Sequence, residues 1–495
     1  MLSNFLKLQN GTDIRGIASE NEKTEVNLTP ERISAISLGI LKWLEGKEKT
    51  RCDKFRIAVG MDSRISGPEI KENMISVFEN HGVNVIDCNM ATTPAMFMTT
   101  VMEDYNCTCG IMITASHLPY YYNGVKIFTK RGGAEKNDIS EILEFAYKMT
   151  LENDIEENPG RVIERNLIED YSRVLVYRIM KETGMGRPLE GLKIVVDAGN
   201  GAGGFFATKV LSGLGADISG SQFLNPDGMF PNHQPNPENK EAMESISKAV
   251  IEAKADLGII FDTDVDRAAI VSDDGCEINR NSLIAVISDI ILKEKPGSVI
   301  VTDSITSSGL TEFIEKRGGI HHRFKRGYKN VINEAKRINE ETDKKSYLAI
   351  ETSGHAALEE NYFLDDGAYL IAKILIEISS LHQEGKKIQH LISDLKQPKD
   401  SIEYRLKIKE ENFRQYGETV LEKLKEFALN HDVFKIAEPN YEGVKLVTDH
   451  GWCLLRMSLH EPVMPLNIES DIDGGVQVIE KMLKVFIDTN EKLEF

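Results

Sequence analysis

Gly258-Ile259-Ile260-Phe261-Asp262-Thr263-Asp264-Val265-Asp266-Arg267 is a short apolar run that stops at three alternate carboxylates and an arginine. An apolar run this short, bounded by polar residues, reads as a strand buried on both faces, and its abrupt end as the point where the chain leaves the sheet for a surface loop. Open α/β sheets place their chemistry at that end. The same punctuation recurs elsewhere. Gly110-Ile111-Met112-Ile113 runs into Thr114-Ala115-Ser116-His117-Leu118-Pro119, and Leu348-Ala349-Ile350 into Glu351-Thr352-Ser353-Gly354-His355.

Each of these three stretches closes a longer unit. An earlier strand comes first: Ile57-Ala58-Val59-Gly60, Ile194-Val195-Val196-Asp197 and Val299-Ile300-Val301-Thr302. A helical stretch follows, then a glycine and a second strand: Gly82-Val83-Asn84-Val85-Ile86, Gly215-Ala216-Asp217-Ile218 and Gly319-Ile320-His321-His322. Three degenerate copies of one βα arrangement are expected. From about Asp400 the texture changes. Ile402 to Ile408 alternates, Tyr416 to Ala428 is helical, Gly451 to Met457 is strand-like, and a helical pattern from Val476 to Ile487 closes the chain. That mixture without a βαβ rhythm predicts an α+β domain, and Lys386 to Lys399 reads as the linker before it. The fold class is therefore three similar α/β domains with mixed sheets plus a C-terminal α+β domain, bounded at 1–165, 166–282, 283–395 and 396–495.

Composition narrows the function classes. A chain of 495 residues is too long for one core. Its net charge of −19, from 59 basic and 78 acidic residues, argues against nucleic acid as the main partner, because phosphate contacts need basic surface. No apolar run approaches the roughly 20 residues of a membrane span, and the opening residues carry no secretory pattern. Six cysteines without zinc spacing read as reduced, buried thiols. A cytoplasmic protein, monomeric or homodimeric, is the expectation.

The loops carry the chemistry. Asp262, Asp264 and Asp266 form an oxygen-only set suited to Mg²⁺ or Ca²⁺. An EF-hand would need Gly where Arg267 stands and Glu where Asp273 stands. A metal with an arginine beside it suits phosphoryl groups, since both stabilise charge on the transferring oxygens. Ser116 reads either as a helix N-cap or as a phosphate-carrying nucleophile. Glu351 and Ser353 could grip adjacent sugar hydroxyls, or the same string could open a helix at Ala356-Ala357-Leu358. Arg456 and Ser458, in Arg456-Met457-Ser458-Leu459-His460-Glu461-Pro462, suit a bound phosphate, although an arginine near a strand end also reads as a surface residue.

Together and in order, these loops resemble those of the α-D-phosphohexomutases, the family of phosphoglucomutase and phosphomannomutase, and the likeness spans essentially the whole chain. Thr114 to Pro119 is similar to the family's phosphoserine loop, with Leu118 where Asn is commoner. Asp262-x-Asp264-x-Asp266-Arg267 resembles its magnesium loop, and Glu351 to His355 its sugar-binding loop. Gly11-Thr12-Asp13-Ile14-Arg15-Gly16 resembles the opening signature, Asp197 to Gly203 the glycine loop of the second domain, and Gly327-Tyr328-Lys329 a lysine-bearing segment of the third. The last loop departs, with Leu459 and His460 where Gly or Asn and Thr are usual.

The resemblance implies four domains around a central cleft and reversible 1,6-phosphoryl transfer on hexose phosphates. Ser116 would carry the phosphoryl group and share Mg²⁺ with Asp262, Asp264 and Asp266, while a hexose 1,6-bisphosphate would serve as intermediate and activator. Lys126, Arg15, His117 and Arg267 would stabilise charge and move the hydroxyl proton. Glu351, Ser353, His355, Lys329, Arg456, Ser458 and His460 would bind the sugar and its non-reacting phosphate. The alternatives are a phosphoglucosamine mutase, a metal-dependent sugar phosphatase and a non-catalytic sugar-phosphate-binding protein.

Overall fold

Among the described residues, the first 165 build a mixed sheet of eight strands, with Arg56–Met61 in its interior. Parallel neighbours Asn84–Met90 and Cys109–Ile113 flank that strand, and Tyr122–Thr129 and Asp13–Ile17 continue the sheet antiparallel. The computed structural model describes residues 2–22, 24–149, 159–458 and 461–494. These form two compact units: Met1–Asn279 with Ser353–Ile388, and Arg280–Thr352 with Gln389–Phe495. Periodicity explains the layering of the first sheet. Ile33, Ile36, Ile40 and Leu44 line one face of the helix Pro30–Glu48 and pack with Ile57, Val59 and Ile111 in one core. Thr29 caps that helix by accepting from Arg32 N, and Pro30 opens it.

The first unit's second sheet pairs Leu257–Phe261 parallel to Ile194–Asp197 and antiparallel to Ala268–Ser272. Every residue of Leu257–Phe261 is buried, as the opening run requires. The same unit contains the antiparallel pair Ala356–Leu358 and Leu364–Asp365 and the helix Gly367–Gln383. In the second unit, Val299–Thr302 lies between Ile320–Arg323 and Ser346–Ile350, all parallel. Its last hundred residues form an antiparallel sheet in which Asp400–Ile408, Val463–Ser470, Gly451–Leu455 and Val444–Thr448 are neighbours, with Phe413–Leu429 and Gly475–Ile487 as the long helices.

Three expectations are corrected and one, the linker, gains detail. Gly215 to Ile218 is not a strand: only Asp217 bridges, to Lys193, because the Asp217 carboxylate accepts from Ser219 N at 2.8 Å and turns the chain. Ala356 to Leu358 is a strand and not a helix start, buried throughout and paired antiparallel with Leu364–Asp365. The linker contains a 3₁₀ turn, Ile388–Ile392. Of the free cysteines, Cys88, Cys107, Cys109 and Cys453 are buried as expected, whereas Cys52 is half-buried and Cys276 exposed.

Candidate active site

Ser116 follows the buried strand Cys109–Ile113 and adopts φ +51°, the left-handed region that a non-glycine residue enters only when its neighbours hold it there. The holding groups are identifiable. Thr114 Oγ1 accepts from Ser116 N at 2.9 Å and donates to Asp62 Oδ2 at 2.7 Å. Arg64, 1% exposed, donates to the carbonyls of Ser116, Leu118, Pro119 and Tyr122 and pairs with Asp62 through Nε at 3.2 Å. Arg15 adds a bond to Ala115 O at 3.2 Å while pairing with Asp13. Ser116 is thus an exposed-type residue locked in a buried, strained turn, and not a helix cap.

Its hydroxyl donates to Asp262 Oδ2 at 3.1 Å. The loop that supplies Asp262 follows Leu257–Phe261, and the ligand oxygens of Asp262, Asp264 and Asp266 lie within 4.8 Å of one another. All three carboxylates are buried. Asp264 Oδ1 and Asp266 Oδ1 have no hydrogen-bond partner among the described residues. Burial, and then the charges of Asp266 and Asp264, push the Asp262 carboxyl well above the usual carboxylate range. Burial opposes the ionisation of Asp266 too, but Lys126 and Arg267 hold its carboxyl low. Buried like charges with orphaned oxygens call for a cation, and a set made only of oxygen fits Mg²⁺. Asp266, His355 and Asp365 also lie within 4.8 Å. Arg267 Nε donates to His355 Nε2 at 3.1 Å, however, which occupies the imidazole lone pair and favours the aspartate triplet.

Lys126 stands on Tyr122–Thr129, the strand beside that of Ser116, and its Nζ reaches Asp264 Oδ2 at 3.1 Å and Asp266 Oδ2 at 2.5 Å. Gly124 on the same strand leaves room for the neighbouring chain: a Cβ there would meet Ile14 O at 2.1 Å. Thr93 grips Asp264 from the other side, through its side chain on Oδ2 and its backbone N on Asp264 O.

Arg267 joins two histidines. Its NH2 donates to His117 Nδ1 at 2.9 Å, and its Nε to His355 Nε2. Arg267, then burial, holds the His117 imidazolium down to about 2, and burial with Arg267 lowers His355 well below the ordinary value. Both are neutral acceptors, and His117 Nδ1 also lies 3.2 Å from Ser116 Oγ. With Nε2 accepting, His355 carries its proton on Nδ1 and donates to Ser353 Oγ at 2.8 Å. Ser353 keeps its own hydroxyl proton for a ligand.

The second unit contains the remaining candidates. Glu351 Oε1 accepts from Gly327 N at 2.6 Å, just before the helix Tyr328–Glu341 that carries Lys329. Arg456 is 5% exposed, which removes the surface reading, and lies 3.9 Å from Glu403. Glu442 accepts from Arg326 N and from Ser304, and Arg326 faces Asp303 at 3.8 Å. Ser458 N donates to Val463 O at 3.0 Å. Leu459 and His460 lie outside the described residues.

Thr352 Oγ1 donates to Asp303 Oδ2 at 2.6 Å, the same bond that Thr114 makes to Asp62 in the first copy. Thr114-x-Ser116-His117 and Thr352-x-Gly354-His355 therefore correspond, with Gly354 at φ +92° where Ser116 has +51°. The likeness of the copies extends from strand order to individual hydrogen bonds.

Comparison with known proteins decides the family. Residues 7–153, 179–275 and 279–398 match alpha/beta/alpha domains I, II and III of phosphoglucomutase/phosphomannomutase. The chain belongs to the α-D-phosphohexomutases. It is 30% identical to the phosphomannomutase/phosphoglucomutase of Pseudomonas putida over 87% of this chain and 86% of that protein. It is also 30% identical to the phosphoglucomutase/phosphomannomutase of Thermococcus kodakarensis over 95% and 98%. The crystal structure of a family protein from Burkholderia thailandensis shares the fold, with a TM-score of 0.81, 23% identity and full coverage of both chains. Membership confirms the architecture of three α/β domains and places the chain among isomerases that transfer phosphoryl groups. No helix among the described residues is long and apolar enough to cross a membrane.

Arg64, Asp62, Thr93, Arg326 and Glu442 were not singled out from the sequence. For Arg64 a signal existed: Asp62-x-Arg64 follows the first copy's opening strand, at the same sheet end as Ser116.

Proposed function

We propose that this phosphohexomutase interconverts the 1- and 6-phosphates of a hexose as a cytoplasmic, magnesium-dependent enzyme, through a phosphoryl group carried on Ser116 and a hexose 1,6-bisphosphate. The observation that supports this most is the pairing of the constrained Ser116 hydroxyl with Asp262, inside a buried triplet of carboxylates. Asp262, Asp264, Asp266 and Ser116 would hold Mg²⁺, which, when bound, withdraws charge from the transferring oxygens.

In the forward direction the bond between phosphorus and Ser116 Oγ breaks as a bond forms to the free sugar hydroxyl oxygen. The sugar hydroxyl gives up its proton as that bond forms, Ser116 Oγ takes one up as its bond to phosphorus breaks, and the return transfer reverses both, so no net proton is consumed. After the bisphosphate turns over, the phosphoryl group at the other end returns to Ser116. Lys126, Arg267 and Arg15 stabilise the charge, and His117 orients Arg267 as a neutral acceptor. Glu351 and Ser353 bind sugar hydroxyls, with His355 fixing the direction of the Ser353 proton. Lys329, Arg456, Ser458 and His460 hold the phosphate that is not reacting. We infer domain boundaries near 165, 282 and 395.

The test is a panel of glucose, mannose, glucosamine and N-acetylglucosamine 1-phosphates with Mg²⁺ and glucose 1,6-bisphosphate as activator. Conversion of at least one to its 6-phosphate by the wild type, and of none by Ser116→Ala, is expected. Release of inorganic phosphate without isomerisation would instead identify a phosphatase. Binding without any turnover would identify a non-catalytic member.

A further inference from the structure

A cavity of about 500 Å³ lies within the second unit, walled by Ile320–Arg323 and by the neighbouring strands Val444–Thr448, Gly451–Leu455 and Val463–Ser470. None of Glu351, Lys329, Arg456 or Ser458 lines it. Its volume exceeds the roughly 30 Å³ share of a water molecule many times over and falls in the range of small-molecule sites.

Lys445 lines this cavity at 8% exposure, with Nζ 3.7 Å from the centroid of the Trp452 ring. No hydrogen-bond acceptor reaches Nζ among the described residues. Its polar neighbours are satisfied. Glu469 accepts from Trp452 Nε1 at 2.9 Å and from Ser308 N at 3.0 Å. Arg323 donates to Thr306 Oγ1, Ser307 O and Thr311 Oγ1, and His321 is held by Thr302 and Thr311. A buried donor without an acceptor is costly, and more so when charged. A buried ammonium over an aromatic face, opening on empty volume, is a ready partner for an oxyanion.

Two further features describe the ligand. Phe324 and Tyr441, with ring centroids 5.0 Å apart, give the cavity an aromatic wall besides Trp452. Glu438, Asp449 and Asp471 line it as exposed residues and repel any ligand that spreads negative charge over its whole length.

We propose that this cavity binds a small organic anion whose one carboxylate or phosphate group meets Lys445 Nζ and whose uncharged body rests against the aromatic wall. No described residue assigned to hexose phosphate lines this cavity, and the proposal stands whether or not that assignment holds.

The chain has two tryptophans, so Trp43→Phe leaves Trp452 as the sole tryptophan, a local reporter when excited at wavelengths that tyrosine does not absorb. Benzoate and phenyl phosphate share a ring and differ in the oxyanion, so titrating both distinguishes a carboxylate site from a phosphate site. A saturable change in Trp452 emission with at least one probe is expected, with affinity at least about tenfold weaker in Trp43→Phe/Lys445→Met. That variant is expected to keep the mutase activity of its parent. No saturable change with either probe in folded Trp43→Phe protein overturns the proposal without recourse to the lysine variant. Equal affinity in the double variant overturns it as well.

Discussion

Ser116 Oγ donates to Asp262 Oδ2 across 3.1 Å although 146 residues separate the two in the chain. Two strand ends from different copies of one βα arrangement meet there, one carrying a hydroxyl and the other a cluster of carboxylates. Each loop carries a local cost: Ser116 is held in a left-handed turn, and Asp262 is buried beside two like charges. The contact converts two local liabilities into one site.

Ser116→Ala is expected to lower mutase activity by at least about 10³-fold, as removal of a nucleophile does. Intact-mass spectrometry of protein purified from cells should show a phosphorylated fraction in the wild type and none in the variant. A phosphorylated Ser116→Ala protein would place the phosphate elsewhere.

Magnesium is expected to stabilise the wild type by mass action, by about 2.7 kcal/mol at a hundredfold excess over its dissociation constant. Asp262→Asn removes one of three mutually repelling carboxylates. Without metal this variant should melt no lower than the metal-free wild type, while gaining little from Mg²⁺. Calorimetry with chelator and with Mg²⁺ reads both arms, and an equal gain in the two proteins would exclude the triplet as the metal site.

Arg64 positions the serine loop without facing the reaction. Arg64→Met leaves Asp62 buried without its cation and should cost about 3 to 5 kcal/mol in chemical denaturation. Arg64→Lys keeps the charge but cannot serve four carbonyls. It should retain more stability while kcat still falls about tenfold or more with KM little changed. A rise in KM alone would contradict a positioning role.

Arg456→Ala should raise KM for the hexose phosphate by about 10- to 100-fold through loss of a charge-assisted bond, with a smaller effect on kcat. Steady-state kinetics separate the two. A fall in kcat at constant KM would move Arg456 to the reacting end.

Lys445 predicts a pH dependence of stability. Burial, then the charge of Arg323, push its ammonium down to about 7, whereas an unfolded lysine titrates near 10.4. Between those values the folded chain binds fewer protons than the unfolded one, so this group's contribution improves as pH rises, and its penalty is complete below pH 7. Lys445→Met should therefore melt above the wild type at pH 6.5, with the gap narrowing towards pH 9. A constant gap would show that the lysine stays charged throughout.

Strand ends were the legible part of the site. Leu257–Phe261, Cys109–Ile113 and the 348–350 end of Ser346–Ile350 are apolar and buried, so composition alone marks where each stops, and Asp262, Ser116 and Glu351 stand close to those stops. Gly215 to Ile218 failed because a carboxylate that turns its own backbone outweighs a short apolar pattern. Ala356 to Leu358 failed because alanine and leucine favour helices in isolation, and only pairing with Leu364–Asp365 makes them a strand.

The partners of each loop residue could not be read from the chain, because hydrogen bonds between distant segments leave no periodicity. Local pattern and motif order were enough for the three α/β copies, the α+β end, the aspartate triplet and the serine. Tertiary packing alone decided that Arg64 clamps the serine turn, that Arg267 renders His117 and His355 neutral, and that Lys445 faces an open cavity with no acceptor among the described residues. A residue's protonation and strain depend on burial and on the charges brought beside it, and those are properties of the folded arrangement.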